Sequence, residues 1–174
     1  MLKDNYPCIL GVDPGSQVAG VACIISKKLH PLCPGDFEVV DILTLDGRKI
    51  EDFNQRLSCF HNNLFSVIKE YRISHGVFES SFIGINPQSA IKLGAIRGAL
   101  ISSLARQNIP IFEFSPTKVK KIITGNGHAC KESVRSSVEC LLNYSISKDL
   151  SYDASDALAI ALSFALNHNW QNQL

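Results

Sequence analysis

The segment Cys8-Ile9-Leu10-Gly11-Val12-Asp13-Pro14-Gly15-Ser16 constrains this chain more than any other. Ile9, Leu10 and Val12 suit a buried strand, and Pro14-Gly15 stops it. Asp13 is therefore presented at a strand end, on a rigid element rather than a mobile loop. An Asp before Pro-Gly also makes an ordinary Asx turn, and this segment alone leaves both readings open.

Two further segments place acids beside apolar runs. Gly76-Val77-Phe78-Glu79 reads as a second buried strand with Glu79 at its carboxyl end. Tyr152-Asp153-Ala154-Ser155-Asp156-Ala157-Leu158-Ala159-Ile160 opens an apolar helix, and the i, i+3 spacing puts Asp153 and Asp156 on one face. Asp153 by itself could complement the helix dipole. Asp156 sits a turn inside an apolar helix, where an unpaired carboxylate costs roughly several kcal/mol unless a cation or donor meets it. Four carboxylates on three rigid elements form the pattern of a metal site.

Around these segments the periodicity gives strands over residues 8–13, 19–25 and 37–45, then a helix from near Asp52 to Tyr71 and a strand over 76–79. A helix over 87–107 and a strand over 110–114 follow. Ser115-Pro116 caps a helix to about Ile123, a Gly-containing loop over 124–129 precedes a helix to Leu142, and the last helix begins at Tyr152. Phe53, Leu57, Phe60, Leu64, Val67 and Tyr71 recur at helical spacing as a core stripe. The expectation is a single α/β domain over 1–174, with three strands followed by alternating helices and strands.

With 174 residues, 45% of them hydrophobic, the chain can bury an ample core, which excludes a disordered protein. Its first residues lack the apolar stretch of a signal peptide and no apolar run is long enough to span a bilayer, so a cytoplasmic location is expected. Cys8, Cys23, Cys33, Cys59, Cys130 and Cys140 show no C-x-x-C spacing and several lie in apolar runs. Reduced, buried thiols are expected rather than disulfides or zinc ligands. The formal net charge is only +1. If four of the 16 acids face bound cations, however, 12 remain against 17 basic residues. Lys118, Lys120, Lys121, Lys131 and Arg135 cluster with only Glu113 and Glu132 nearby, which suggests a phosphate-tracking surface.

Taken together, these motifs resemble the RuvC family of Holliday-junction resolvases. The match is carried by Ile9-Leu10-Gly11-Val12-Asp13-Pro14-Gly15-Ser16, Glu79 followed by Phe82, Ser89-Ala90-Ile91-Lys92-Leu93-Gly94 with Arg97-Gly98, Val119-Lys120-Lys121, and the segment from Asp153 to Ala161. Gln17, where the family often has a basic residue, and a long Pro-rich stretch over 27–37 depart from it. The resemblance implies a ribonuclease-H-like fold, a mixed five-stranded sheet flanked by helices, and a nuclease using two Mg²⁺ ions, with Mn²⁺ able to substitute. Asp13 would bridge the ions, Glu79, Asp153 and Asp156 would complete their shells, and Lys131 would steady charge on the phosphate. Lys120 is read as a phosphate-positioning residue. Phe82, an aromatic in a polar, Gly-containing loop, is expected to stack on an unpaired base.

As partners the resemblance implies four-way junction DNA, a second copy of the chain and the branch-migration complex RuvA-RuvB. Gly94 and Gly98 would let the helix over 87–107 approach another backbone, either its own sheet or a second subunit. Three alternatives stay open: another ribonuclease-H-like nuclease, a non-catalytic junction-binding module, and an actin-like sugar kinase, for which a phosphate-binding second half is lacking.

Overall fold

The computed structural model describes residues 6–28, 33–80, 86–147 and 149–168. Strands β1 (Cys8–Asp13), β2 (Val18–Ser26) and β3 (Phe37–Asp46) form an antiparallel meander, followed by helix α1 (Phe53–Tyr71) and strand β4 (His75–Glu79). Helix α2 (Pro87–Ala105), strand β5 (Ile111–Phe114) and helices α3 (Pro116–Thr124), α4 (Lys131–Leu142) and α5 (Tyr152–Asn167) complete it. The sheet order is β3-β2-β1-β4-β5, with β4 parallel to both β1 and β5. This is the mixed five-stranded sheet expected, and the elements lie within about two residues of their expected limits.

Local chemistry sets the ends. Asp52 caps α1 by accepting from the Gln55 N–H, and α1 stops where Arg72 turns left-handed at φ 49°. Ser115 and Ser151 cap α3 and α5 through their hydroxyls, with Pro116 at the first position of α3.

Alternation along the strands assigns the two faces. Leu10, Val12, Val21, Cys23 and Phe78 pack under α1 and α2, whereas Ile9, Ala22, Ile24 and Val77 pack under α3, α4 and α5. Asp13 and Glu79 share the parity of Ile9 and Val77, so both carboxylates emerge on the α5 face. Val12 pairs with Phe78, which makes Asp13 and Glu79 neighbours at the ends of adjacent parallel strands.

Two strand glycines decide how close α5 lies. A Cβ on Gly11 would fall 2.1 Å from the Ala157 carbonyl oxygen, and one on Gly20 would fall 1.8 Å from that of Asp153. Both are far inside van der Waals contact, so the Ala-rich helix rests on bare backbone. Gly20 also pairs across the ladder with Asp13. The close packing therefore delivers the start of α5, with Asp153 and Asp156, to the end of β1.

The cysteines are free, but only partly as expected: Cys8 and Cys23 are buried and Cys59 half-buried, while Cys33, Cys130 and Cys140 are exposed. Those three lie in a loop, at the cap of α4 and on its solvent side, outside the sheet core. At the other end of the sheet from Asp13, His75 is buried at 5% exposure, with ring centroids of Phe164 and His168 at 5.2 and 5.3 Å. Burial, and then the neighbouring His168, push the His75 pKa down to about 4. A depressed histidine contributes stability that is complete above its unfolded pKa near 6.5 and is lost as pH falls toward 4. His75→Phe should therefore lose about 3 kcal/mol less stability than the parent between pH 7 and 4, read by chemical denaturation at each pH.

Among the described residues, no helix is long and apolar enough to cross a membrane.

Candidate active site

The carboxyl ends of β1 and β4, the starts of α4 and α5 and the inner side of α3 enclose one cleft of about 200 Å³. Asp13, Glu79, Asp156, Lys120 and Lys131 line it, with Pro116, Val119, Val134 and Ala159 as its apolar wall. The apolar wall lowers the local dielectric and strengthens every charge interaction inside. Burial, then the charges of Glu79, Asp156 and Asp153, push the Asp13 pKa up to about 7, with Lys131 opposing. Glu79 is raised by burial and by Asp156, against Lys131 and Lys120. The acids thus crowd one another, and each would be more comfortable facing a cation.

Lys131 Nζ donates to Asp156 Oδ2 at 2.8 Å. Partial burial works against its charge, but this hydrogen bond and the surrounding acids hold the ammonium above the ordinary lysine pKa. Asp153 does not line the cleft. It stands one turn earlier on α5, at the rim beside β2, where it still adds to the charge felt by Asp13. Among the described residues no three acid, imidazole or thiol groups are already drawn into a closed ligand set. Lys131 engages one Asp156 oxygen. The donors suit a hard divalent ion nonetheless, being all carboxylate oxygens on rigid element ends.

The other candidate residues divide. Lys120 lines the cleft, whereas Lys118 lies over the Phe114 ring at 4.0 Å and, like Lys121, is exposed on α3. Arg135 is turned from the cleft: its Nη2 donates to the carbonyls of Ile146 and Ser147 at 3.0 and 2.8 Å. Glu139 accepts from the Ile146 N–H at 2.8 Å, so α4 straps down the segment that leads into α5. Phe82 lies outside the described residues. A Cβ on Gly94 or Gly98 would meet nothing within 4 Å, and Ile91 on the same helix is 71% exposed. The described part of this chain's own sheet is thus not the close neighbour of that helix face.

Several supporting residues give little sequence signal. Thr44 on β3 meets the Ser151 hydroxyl at 3.0 Å, tying the cap of α5 to the sheet. Arg56 on α1 donates to the Ser16 carbonyl at 3.2 Å and fixes the turn after Asp13. A Thr in a strand and an Arg in an amphipathic helix are too ordinary to stand out. Gly11 and Gly20 were legible in principle, because a glycine inside a strand marks a close backbone approach.

Comparison with known proteins agrees with this geometry. The family described as Crossover junction endodeoxyribonuclease RuvC matches residues 9–164. The enzyme of that name from Ehrlichia chaffeensis is 38% identical over 157 residues, covering 90% of this chain and 95% of its own. Thermus thermophilus RuvC, solved in complex with a Holliday junction substrate, superposes with a TM-score of 0.80 at 25% identity over 92% of this chain and 94% of that one. The yeast mitochondrial Holliday junction resolvase shares the fold, with a TM-score of 0.63 at 14% identity over 95% and 79% of the two chains. This chain belongs to the RuvC family of crossover junction endodeoxyribonucleases.

Proposed function

We propose that this protein resolves four-way DNA junctions by hydrolysing one phosphodiester in each of two strands of like polarity, using two Mg²⁺ ions for which Mn²⁺ can substitute. One observation carries the reading: Asp13, Glu79 and Asp156 line one open cleft together with Lys120 and Lys131. Acids that hold hard cations, beside ammonium groups that hold a polyanion, are what phosphodiester hydrolysis calls for. Asp13, Glu79 and Asp156 would hold the ions, with Asp153 joining from the rim. When bound, such ions activate a water and stabilise the departing 3′ oxygen.

The chain's own groups do the rest. Lys120, on the inner side of α3, positions the phosphate. Lys131 offsets negative charge that develops on it, and the apolar wall of Pro116, Val119, Val134 and Ala159 limits water. Lys118 and Lys121 extend the basic surface along α3, and Phe82 is assigned to the unpaired base at the crossover. The open face of α2 at Ile91, Gly94 and Gly98 is assigned to a second copy of the chain, because two equivalent cuts require two sites related by a two-fold axis.

The direct experiment compares cleavage of a mobile four-way junction, a linear duplex of the same sequence and an RNA–DNA hybrid. Cutting confined to the junction supports the reading. Equal cutting of the hybrid favours a general ribonuclease-H-like nuclease, and metal-independent binding without cutting favours a binding module. Lys131→Ala should lower the single-turnover cleavage rate at saturating Mg²⁺ by about 10²–10³, with a smaller change in junction affinity by gel shift.

A further inference from the structure

The proposed chemistry asks two things of Lys131 that one ammonium cannot do at once. Its Nζ lies 2.8 Å from Asp156 Oδ2, and its charge also reaches Asp13, Asp153 and Glu79. Yet the proposed chemistry needs both an Asp156 carboxylate turned to an ion and a Lys131 ammonium turned to phosphate. We infer that Lys131 is the resident counter-cation of the acid cluster, displaced from Asp156 when a divalent ion enters, so that ion entry releases Lys131 toward the phosphate.

Three features of the geometry support this. First, the hydrogen bond occupies one oxygen of a carboxylate that lines the same cleft as Asp13 and Glu79, and a divalent charge beside the ammonium would repel it at short range. Second, Lys131 is the first residue of α4, with its side chain 55% exposed, so the stem has room to swing. Third, an alternative seat is at hand: the Tyr152 ring centroid lies 5.9 Å from Nζ, at the outer limit of a cation–π contact, and that ring is half exposed. Lys120 also lines the cleft, but no hydrogen bond ties its ammonium to an acid among the described residues, so only Lys131 is in direct competition with the ion.

The inference rests on the reading of the acid cluster as a metal site, and its consequence runs against intuition. Removing a residue that cleavage needs should improve ion binding. The test is calorimetric titration of Mn²⁺ into the chelator-stripped full-length protein without DNA, for the parent, Lys131→Met and Lys131→Arg. Lys131→Met should bind Mn²⁺ about three- to tenfold more tightly than the parent, as loss of one competing partly screened charge allows, whereas Lys131→Arg should stay near the parent value. Thermal denaturation gives a second reading: stripped Lys131→Met should melt below the stripped parent, and Mn²⁺ should raise its melting temperature by more. Equal or weaker binding by Lys131→Met, with the parent binding normally, overturns the inference and leaves the metal-site reading standing. Failure of the parent itself to bind Mn²⁺ overturns both.

Discussion

Asp13→Asn is expected to abolish strand cutting, by more than about 10³-fold, while junction binding persists or tightens. Asp13 is the acid most crowded by the others, its pKa pushed up to about 7 by burial and by Glu79, Asp156 and Asp153. The amide keeps the shape but removes the charge that would bridge two ions. It also removes one negative charge from beside the phosphate, which is why affinity should not fall. Stability supplies an internal check with a definite sign. A carboxyl whose folded pKa lies above its unfolded value contributes stability that is complete below the unfolded pKa and is lost as pH rises through the folded one. Chelator-stripped Asp13→Asn should therefore gain stability over the stripped parent between about pH 4 and pH 7. Single-turnover cleavage, gel shift and denaturation at two pH values settle the point. Parallel loss of cutting, binding and folding would make Asp13 a structural turn residue instead.

Gly20→Ala should disable the site from a buried position on β2. A Cβ there would fall 1.8 Å from the Asp153 carbonyl oxygen, and that atom belongs to helix backbone, which cannot rotate away. The start of α5 has to lift from the sheet, moving Asp153 and Asp156 away from Asp13. Overpacking of this kind costs about 1–3 kcal/mol, and a misplacement near 1 Å costs about 10² in rate. The variant should fold with a lowered melting temperature and cut at least about 10²-fold more slowly, with junction affinity nearly kept. Gly35→Ala is the control, since the nearest atom to a new Cβ there is Cys33 Sγ at 4.0 Å. Unchanged cleavage by Gly20→Ala would mean that α5 does not need its close seat on β2.

These two residues also show what a sequence reading reaches. Asp13 was legible because strand alternation and the Pro14-Gly15 stop fix its position from local chemistry alone. Glu79 followed from the same logic, and the i, i+3 spacing of Asp153 and Asp156 put both at the start of one helix. The strand order was not local information: β4 inserts beside β1 through pairing between residues more than sixty positions apart, which no local pattern encodes. Asp153 and Asp156 share a helix face, yet only Asp156 lines the cleft, and the close seat of α5 on Gly11 and Gly20 is tertiary information that helical spacing does not carry. Arg135 reads as a free basic residue in sequence because nothing there shows that the chain after α4 folds back under its guanidinium. The Lys131 to Asp156 pair spans 25 residues and depends on two helix starts meeting, which no periodicity encodes.

Cutting of a cruciform plasmid tests paired junction resolution most directly. On the proposed reading, a homodimer with one site per chain would hold both crossover strands at once, so the second cut would be effectively intramolecular after the first. Following supercoiled cruciform plasmid with the purified full-length protein and Mg²⁺, alongside its mass in solution, should show a dimer that converts substrate to linear product, with paired nicks placed symmetrically within one binding lifetime. A monomer that releases singly nicked circles at every protein concentration would contradict it.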